Sequence, residues 1–195
     1  SSKKTLILDL DETLIHSDMN HSLDCNGKKY DAILSFDSNN EKNIELPIFL
    51  REGLFQFLDY ASEQFDLVVF TASEKAYADA IINYIEKDKK YFKMRLYREH
   101  CIFIEPGLYI KDLNIFLKHK KIEDIIIIDN SLFSFANQLN NGILITSFFD
   151  DKEDMFLYSV QSYLEMIKCV NDVREVNRES FQFEAIKEHI LKNQY

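Results

Sequence analysis

Residues 5–13 read Thr5-Leu6-Ile7-Leu8-Asp9-Leu10-Asp11-Glu12-Thr13, a run of β-forming apolar residues that ends in acids. A strand covered on both faces is apolar at successive positions, so this run predicts a buried strand of a parallel sheet with carboxylates at its C-terminal edge. Three further runs have the same character: Asp66–Phe70 (DLVVF), Ile125–Ile128 (IIII) and Gly142–Ile145 (GILI). Helical periodicity separates them. Between Arg51 and Gln64 the apolar set is Leu54, Phe55, Phe57, Leu58 and Ala61, and a second helix over Ala76–Ile85 is introduced by Ser73 as the expected N-cap. Strands alternating with helices imply an α/β fold, a parallel sheet covered on both faces. In such sheets ligands collect at the carboxyl ends of the strands, where the strand order reverses.

The stretch Asn20–Asn43 breaks this rhythm, being polar and turn-rich, and predicts a small β insert that pairs Tyr30–Phe36 with Ile44–Leu50. From Asp151 onward the pattern is helical, with an apolar stripe through Met155, Phe156, Tyr158, Val160, Tyr163, Leu164 and Ile167, then Ile186, Ile190 and Leu191. The expected organisation is one domain over residues 1–180, with the insert inside residues 20–50, and an added helix over 181–195.

Composition narrows the function classes. The 195 residues are 46% apolar, with 16 Phe and 10 Tyr, enough for a core; four Gly and two Pro exclude collagen-like and linker-rich chains. A net charge of −10 has the wrong sign for a surface that grips phosphate backbones, so direct nucleic-acid binding is not expected. Cys25, Cys101 and Cys169 form no C-x-x-C pair and read as free thiols in a reducing, intracellular compartment, nuclear or cytoplasmic. The longest uncharged stretch, Asn130–Phe149, carries four Asn and a Gln, which a bilayer centre penalises, so no membrane span is expected. Ser1-Ser2-Lys3-Lys4 lacks the apolar core of a signal peptide and reads as a boundary within a longer chain.

Four strand ends carry chemistry. Asp9 and Asp11 stand two apart, so in extended backbone they point into one pocket, where two carboxylates persist beside a cation or a shared proton. Taken alone, D-x-D-x-T is read as readily as a loop with surface acids. Thr71, followed by Ala72 and Ser73, offers a hydroxyl and free amides to an anion, although Ser and Thr in that position are usually just caps. Lys111 lies between apolar neighbours in Tyr109-Ile110-Lys111-Asp112-Leu113; its ammonium suits a phosphate oxygen, and its plain alternative is an exposed lysine paired with Asp112. Asp129 and Asn130 follow the all-apolar IIII strand, where a carboxylate is costly unless it meets a cation. Hard oxygen donors of that kind point to Mg²⁺.

In this order, carboxylate pair, hydroxyl, lysine and acid resemble the motifs of the haloacid dehalogenase (HAD) superfamily of phosphohydrolases. LILDLDETLIHS (Leu6–Ser17), FDLVVFTAS with KAYAD (Phe65–Asp79), RLYREHCIF (Arg95–Phe103), YIKDL (Tyr109–Leu113) and IIIIDNS (Ile125–Ser131) resemble more closely the small phosphatases of the RNA polymerase II carboxy-terminal-domain type, the NLI-interacting-factor-like family. The resemblance implies a Rossmann-like, three-layer sandwich with a small β insert, no large cap and a helical C-terminus. It implies two-step phosphoryl transfer, with Asp9 as nucleophile and Asp11 as the acid and base. It further implies Mg²⁺ on the Asp9 side chain, the Asp11 carbonyl and Asn130, with Asp129 as ligand or close behind one. Thr71 and Lys111 would hold phosphate oxygens, with Arg98 and Tyr77 near the substrate. His16 and Cys101 are given packing roles.

The spacing between motifs leaves no room for a large cap, so the expected substrate is a phosphorylated serine or threonine on a protein, with the RNA polymerase II tail as one candidate. Relatives that act on that tail grip a proline with apolar groups. Here Met19, Glu74 and a polar insert stand in the corresponding places. The chain is expected to act as a monomer. Two rivals are a phosphoacceptor receiver domain, which would need its acceptor Asp on a later strand, and a catalytically inactive binding module on the same scaffold.

Overall fold

A computed structural model describes residues 3–19, 29–38 and 41–192. The apolar runs form β1 (Thr5–Leu8), β5 (Asp66–Phe70), β9 (Ile125–Asp129) and β10 (Gly142–Leu144), joined at the far edge by β6 (Met94–Leu96). These five make one parallel sheet in the order β10-β9-β1-β5-β6. The chain steps from β1 to β5 on one side and later returns to β9 on the other, so the order reverses at β1 and a crevice opens beyond its carboxyl end.

Period-two alternation splits the sheet residues between two cores. Leu6, Leu8, Leu67, Val69, Ile126 and Ile128 face one, while Ile7, Val68, Phe70, Ile125 and Ile127 face the other. The first core is roofed by α1 (Leu54–Gln64), α2 (Lys75–Ile85) and α3 (Phe156–Ile167), which supply Phe57, Leu58, Ile81, Ile82, Leu157 and Leu164. The second is closed by short 3-10 segments, Leu113–Phe116, Leu132–Phe135 and Leu139–Asn141, together with Phe183. Together they make the expected three-layer α/β sandwich, with a second layer of turns in place of long helices.

The insert contributes β3 (Ala32–Phe36) and β4 (Ile44–Leu50), which join β2 (Ile15–Ser17) in an antiparallel sheet of order β2-β4-β3. Asn20–Lys28, with Cys25, lies outside the described residues. An antiparallel hairpin, β7 (Ile102–Glu105) and β8 (Leu108–Ile110), turns at Gly107 with φ of 82°. The C-terminal part holds α3, α4 (Val173–Phe181) and α5 (Phe183–Lys192), parted by Gln182 in a left-handed conformation.

Two local expectations are corrected. The N-cap of α2 is Glu74, and its side chain makes no cap bond. Ser73 is diverted to the site described below. In α3 the buried stripe is Leu157, Val160, Leu164 and Ile167, while Met155 and Phe156 are 59% and 40% exposed. The helix begins at Phe156, and its inward face starts at Leu157, two residues later than the string of apolar residues suggests.

Candidate active site

The carboxyl ends of β1, β5 and β9 open into one cavity of about 470 Å³. Asp9, Asp11, Thr71, Lys111, Asp129, Asn130 and Arg98 all line it. Each arrives by a simple route: Asp9 and Thr71 directly follow β1 and β5, Asp129 ends β9, and Lys111 directly follows β8.

Lys111 is 2% exposed and bridges two carboxylates, donating to Asp9 Oδ1 at 2.5 Å and to Asp129 Oδ2 at 2.6 Å. The exposed pairing with Asp112 is thereby excluded. Asp112 instead caps the turn at Leu113, accepting from Asn114 N–H. Burial pulls the Lys111 ammonium toward neutrality, but the Asp129 and Asp9 charges outweigh it and hold the lysine above its ordinary range. The Asp129 carboxyl is raised by burial and by the charge of Asp9, against the pull of Lys111.

The loop after β1 folds back on itself. Glu12 takes a left-handed backbone, φ 57°, unusual for a residue with a Cβ. It is held there by its own N–H on Ile15 O (2.7 Å) and by Phe148 N–H on Glu12 O (2.8 Å). That reversal returns Thr13, whose hydroxyl donates to Asp9 Oδ2 at 2.8 Å. Both oxygens of Asp9 are therefore fixed by buried donors.

Asp11 lines the same cavity and is surrounded by hydroxyls. Ser73 Oγ donates to its Oδ2 at 2.7 Å, Thr71 Oγ1 lies 3.5 Å from the same oxygen, and Tyr77 OH donates to Oδ1. Burial raises the Asp11 carboxyl to about 6; the Tyr77 hydrogen bond opposes this and the Asp9 charge adds to it. At about 6, the Asp11 carboxyl lies above an ordinary aspartate, in the range where a carboxyl can hold or release a proton near neutrality. Tyr77 does not line the cavity; its hydroxyl binds Asp11 and Ser17 Oγ (2.7 Å) from behind.

Arg98 lies at the rim. Its Nε donates to Ala72 O (2.7 Å), its Nη1 to Glu74 (3.1 Å), and its guanidinium stands 5.5 Å from the Tyr109 ring centroid. Asn130 commits its amide N–H to Ser147 Oγ at 2.9 Å, which leaves its carbonyl oxygen available as an acceptor. His16 bonds Glu12 through Nδ1 (2.9 Å) and stacks on Phe49. Cys101 is half-buried and its thiol is pushed up to about 11, chiefly by burial.

Sequence reasoning missed Ser73 as a partner of Asp11, and Glu12, Tyr109, Ser131 and Ser134 as cavity walls. Ser73 was visible as a hydroxyl two residues after Thr71, but a cap and an acid partner look alike until the helix start is known.

Comparison with known proteins bears on the family and the fold. The chain is 39% identical over 174 residues to "Nuclear envelope morphology protein 1" of Schizosaccharomyces pombe, covering 89% of this chain and 35% of the relative. To "CTD nuclear envelope phosphatase 1" of Xenopus laevis it is 34% identical over 177 residues, covering 89% and 71%. The chain thus spans about a third of the fission-yeast relative's length. The solved structure of fission yeast RNA polymerase II CTD phosphatase Fcp1-R271A bound to beryllium fluoride superposes with a TM-score of 0.59 at 18% identity, covering 96% of this chain and 56% of that one, a likeness of fold. The family of NLI interacting factor-like phosphatases matches residues 4–174, strand ends and insert included, and this chain belongs to that family.

Proposed function

We propose that this chain is a Mg²⁺-dependent phosphoprotein phosphatase for phosphoserine and phosphothreonine, acting through an aspartyl-phosphate. The observation that carries the reading is the convergence of Asp9, Asp11, Thr71, Lys111 and Asp129 on one cavity.

In the first step a lone pair of the Asp9 carboxylate attacks phosphorus in line. The bond from phosphorus to the serine or threonine oxygen breaks as Asp11 delivers its proton to that oxygen. In the second step water attacks the same phosphorus, Asp11 takes the proton it gives up, and the Asp9–phosphorus bond breaks to release inorganic phosphate. Lys111 and the Thr71 hydroxyl carry the equatorial oxygens, where charge shifts during transfer. Fixing both Asp9 oxygens limits the orientations open to the nucleophile.

The donor chemistry fits a hard divalent cation. Asp9, Asp11 and Asp129 line one cavity together with a single buried ammonium, Lys111, and burial, with the charge of Asp9 adding to it, raises Asp11 and Asp129. Among the described residues no three His, Cys, Asp or Glu side chains form a ready-made cage. Magnesium commonly needs one or two carboxylates and keeps its waters. Asp9, the Asp11 carbonyl and Asn130 would hold it, with Asp129 as a further ligand or just behind. When bound it supplies screening between the anionic nucleophile and the anionic ester.

The open cavity suits a phosphorylated side chain on a protein, and a relative carries the name of a carboxy-terminal-domain nuclear envelope phosphatase. The RNA polymerase II tail is accordingly one candidate substrate. The test is hydrolysis of para-nitrophenyl phosphate with and without Mg²⁺. Turnover should need the metal, vanish on chelation and vanish in Asp9→Asn, and a quenched wild-type reaction should carry one phosphoryl group on Asp9. A wild-type chain inert with Mg²⁺ would overturn the reading.

A further inference from the structure

Beside the catalytic cavity lies a second one, of about 550 Å³, built by the loop that leads into α3. Three large apolar side chains stand open there: Phe149 at 55% exposure, Met155 at 59% and Phe156 at 40%. Apolar side chains gathered in one groove mark an interaction site more often than a surface accident.

The groove's charge is one-sided. Asp150, Asp151 and Glu153 line it and are exposed. Lys152, which falls among them in sequence, turns away to Asp31 (2.7 Å) and lies over the Phe49 ring. Asp154 is neutralised by Arg51. The loop is also preformed: the Arg51 guanidinium is held by Asp154 and by the carbonyls of Thr13 and Thr146, and stands within 5.6 Å of the Phe148 and Phe156 ring centroids. A preformed groove loses less entropy on binding.

Two contacts join it to the catalytic cavity. Ser147 lines the groove and accepts from Asn130, a wall of the catalytic cavity. Glu12, another wall, bonds His16, whose ring meets Phe149 edge-on at 5.2 Å. A chain leaving the catalytic cavity over Glu12 and His16 arrives at Phe149.

We propose that this groove docks the segment of the phosphoprotein substrate beside its phosphorylated residue, and that this segment is basic and apolar. Lysine or arginine stems lie over the Phe149 and Phe156 rings with their heads on Asp151 and Glu153, while an aliphatic or aromatic neighbour packs against Met155. An acidic segment meets like charge and is rejected. The inference rests on the phosphatase reading and adds a substrate class to it.

Fluorescent phosphoserine peptides, alike except that the flanking segment is Lys/Arg with Leu and Phe or Glu with the same Leu and Phe, test this by anisotropy on the intact chain. The basic peptide should bind about tenfold more tightly at low salt, and the gap should narrow between about 50 mM and about 300 mM salt. Asp151→Asn combined with Glu153→Gln, and separately Phe149→Ala, should each weaken it about fivefold and raise KM for that peptide without changing kcat, since these contacts lie away from the reacting atoms. Turnover of para-nitrophenyl phosphate, which does not reach the groove, should stay at the wild-type value. Equal binding of the two peptides, undiminished binding in both variants, or a dimer that these same substitutions dissociate would overturn the docking proposal. Absent para-nitrophenyl phosphate turnover in wild type overturns the phosphatase reading instead, and leaves the binding comparison to decide the groove.

Discussion

Arg51 and Asp154, 103 positions apart, meet as a two-point ion pair, with Nε on Oδ1 and Nη2 on Oδ2, each at 2.8 Å. Arg51 is 1% exposed and lies directly after β4, while Asp154 lies just before α3. The guanidinium also reaches Thr13 O at 3.1 Å, so one buried cation ties the insert sheet, the loop after β1 and the groove loop together.

Removing one partner leaves the other charge buried. Asp154→Asn is expected to cost about 3 kcal/mol or more, which for a chain of this size lowers the melting midpoint by roughly 6–12 °C. Thermal unfolding followed by circular dichroism measures it, and an unchanged midpoint would show that the pair contributes nothing net.

Lys111 separates Asp9 from Asp129 and, in the mechanism proposed above, holds a phosphate oxygen. Lys111→Met should reduce kcat for para-nitrophenyl phosphate by roughly a hundred- to a thousandfold. Lys111→Arg should restore little of it, because a planar fork cannot replace a compact ammonium between two carboxylates. Steady-state kinetics at saturating Mg²⁺ decides the matter.

Asp11 stabilises the fold when neutral and burdens it when ionised. Its folded pKa of about 6 lies above the ordinary aspartate value of 3.8, so the stability it contributes is full below about 3.8 and lost as pH rises through about 6. In chelator, Asp11→Asn should therefore be more stable than wild type at pH 7.5, by about 2–3 kcal/mol, with the advantage shrinking toward pH 4. Urea midpoints across that range measure it. A gap that does not vary with pH would refute the shifted carboxyl.

Gly142 opens β10 against a fully buried phenylalanine: a Cβ there would lie 2.1 Å from the Phe135 ring. Gly142→Ala should cost about 1–3 kcal/mol by overpacking. Pairing with Phe135→Leu should recover part of the loss, which a double-mutant cycle reads directly.

Much of the molecule was legible from local chemistry. A strand covered on both faces must be apolar at successive positions, so TLIL, DLVV, IIII and GIL announced themselves, and the acids at two of their ends stood out as residues that a buried strand cannot carry without a partner. Lys111 was harder. In sequence it is a lysine beside an aspartate, and only the packing of β8 against the turn after β9 makes it a buried bridge. Ser73 reads as a cap in sequence, and only the backbone direction at the start of α2 decides whether its hydroxyl caps the helix or reaches Asp11.

The sequence by itself determined the order of strands and helices, the acids at the sheet's edge and the sign of the surface charge, because burial and solvation act on each residue locally. Tertiary structure alone decided the partners: which carboxylate Lys111 joins, which oxygen Thr13 holds, and where Arg51 is buried. Those contacts span from 4 to 103 positions, and their energies depend on distance and dielectric, quantities that exist only once the chain has closed around them.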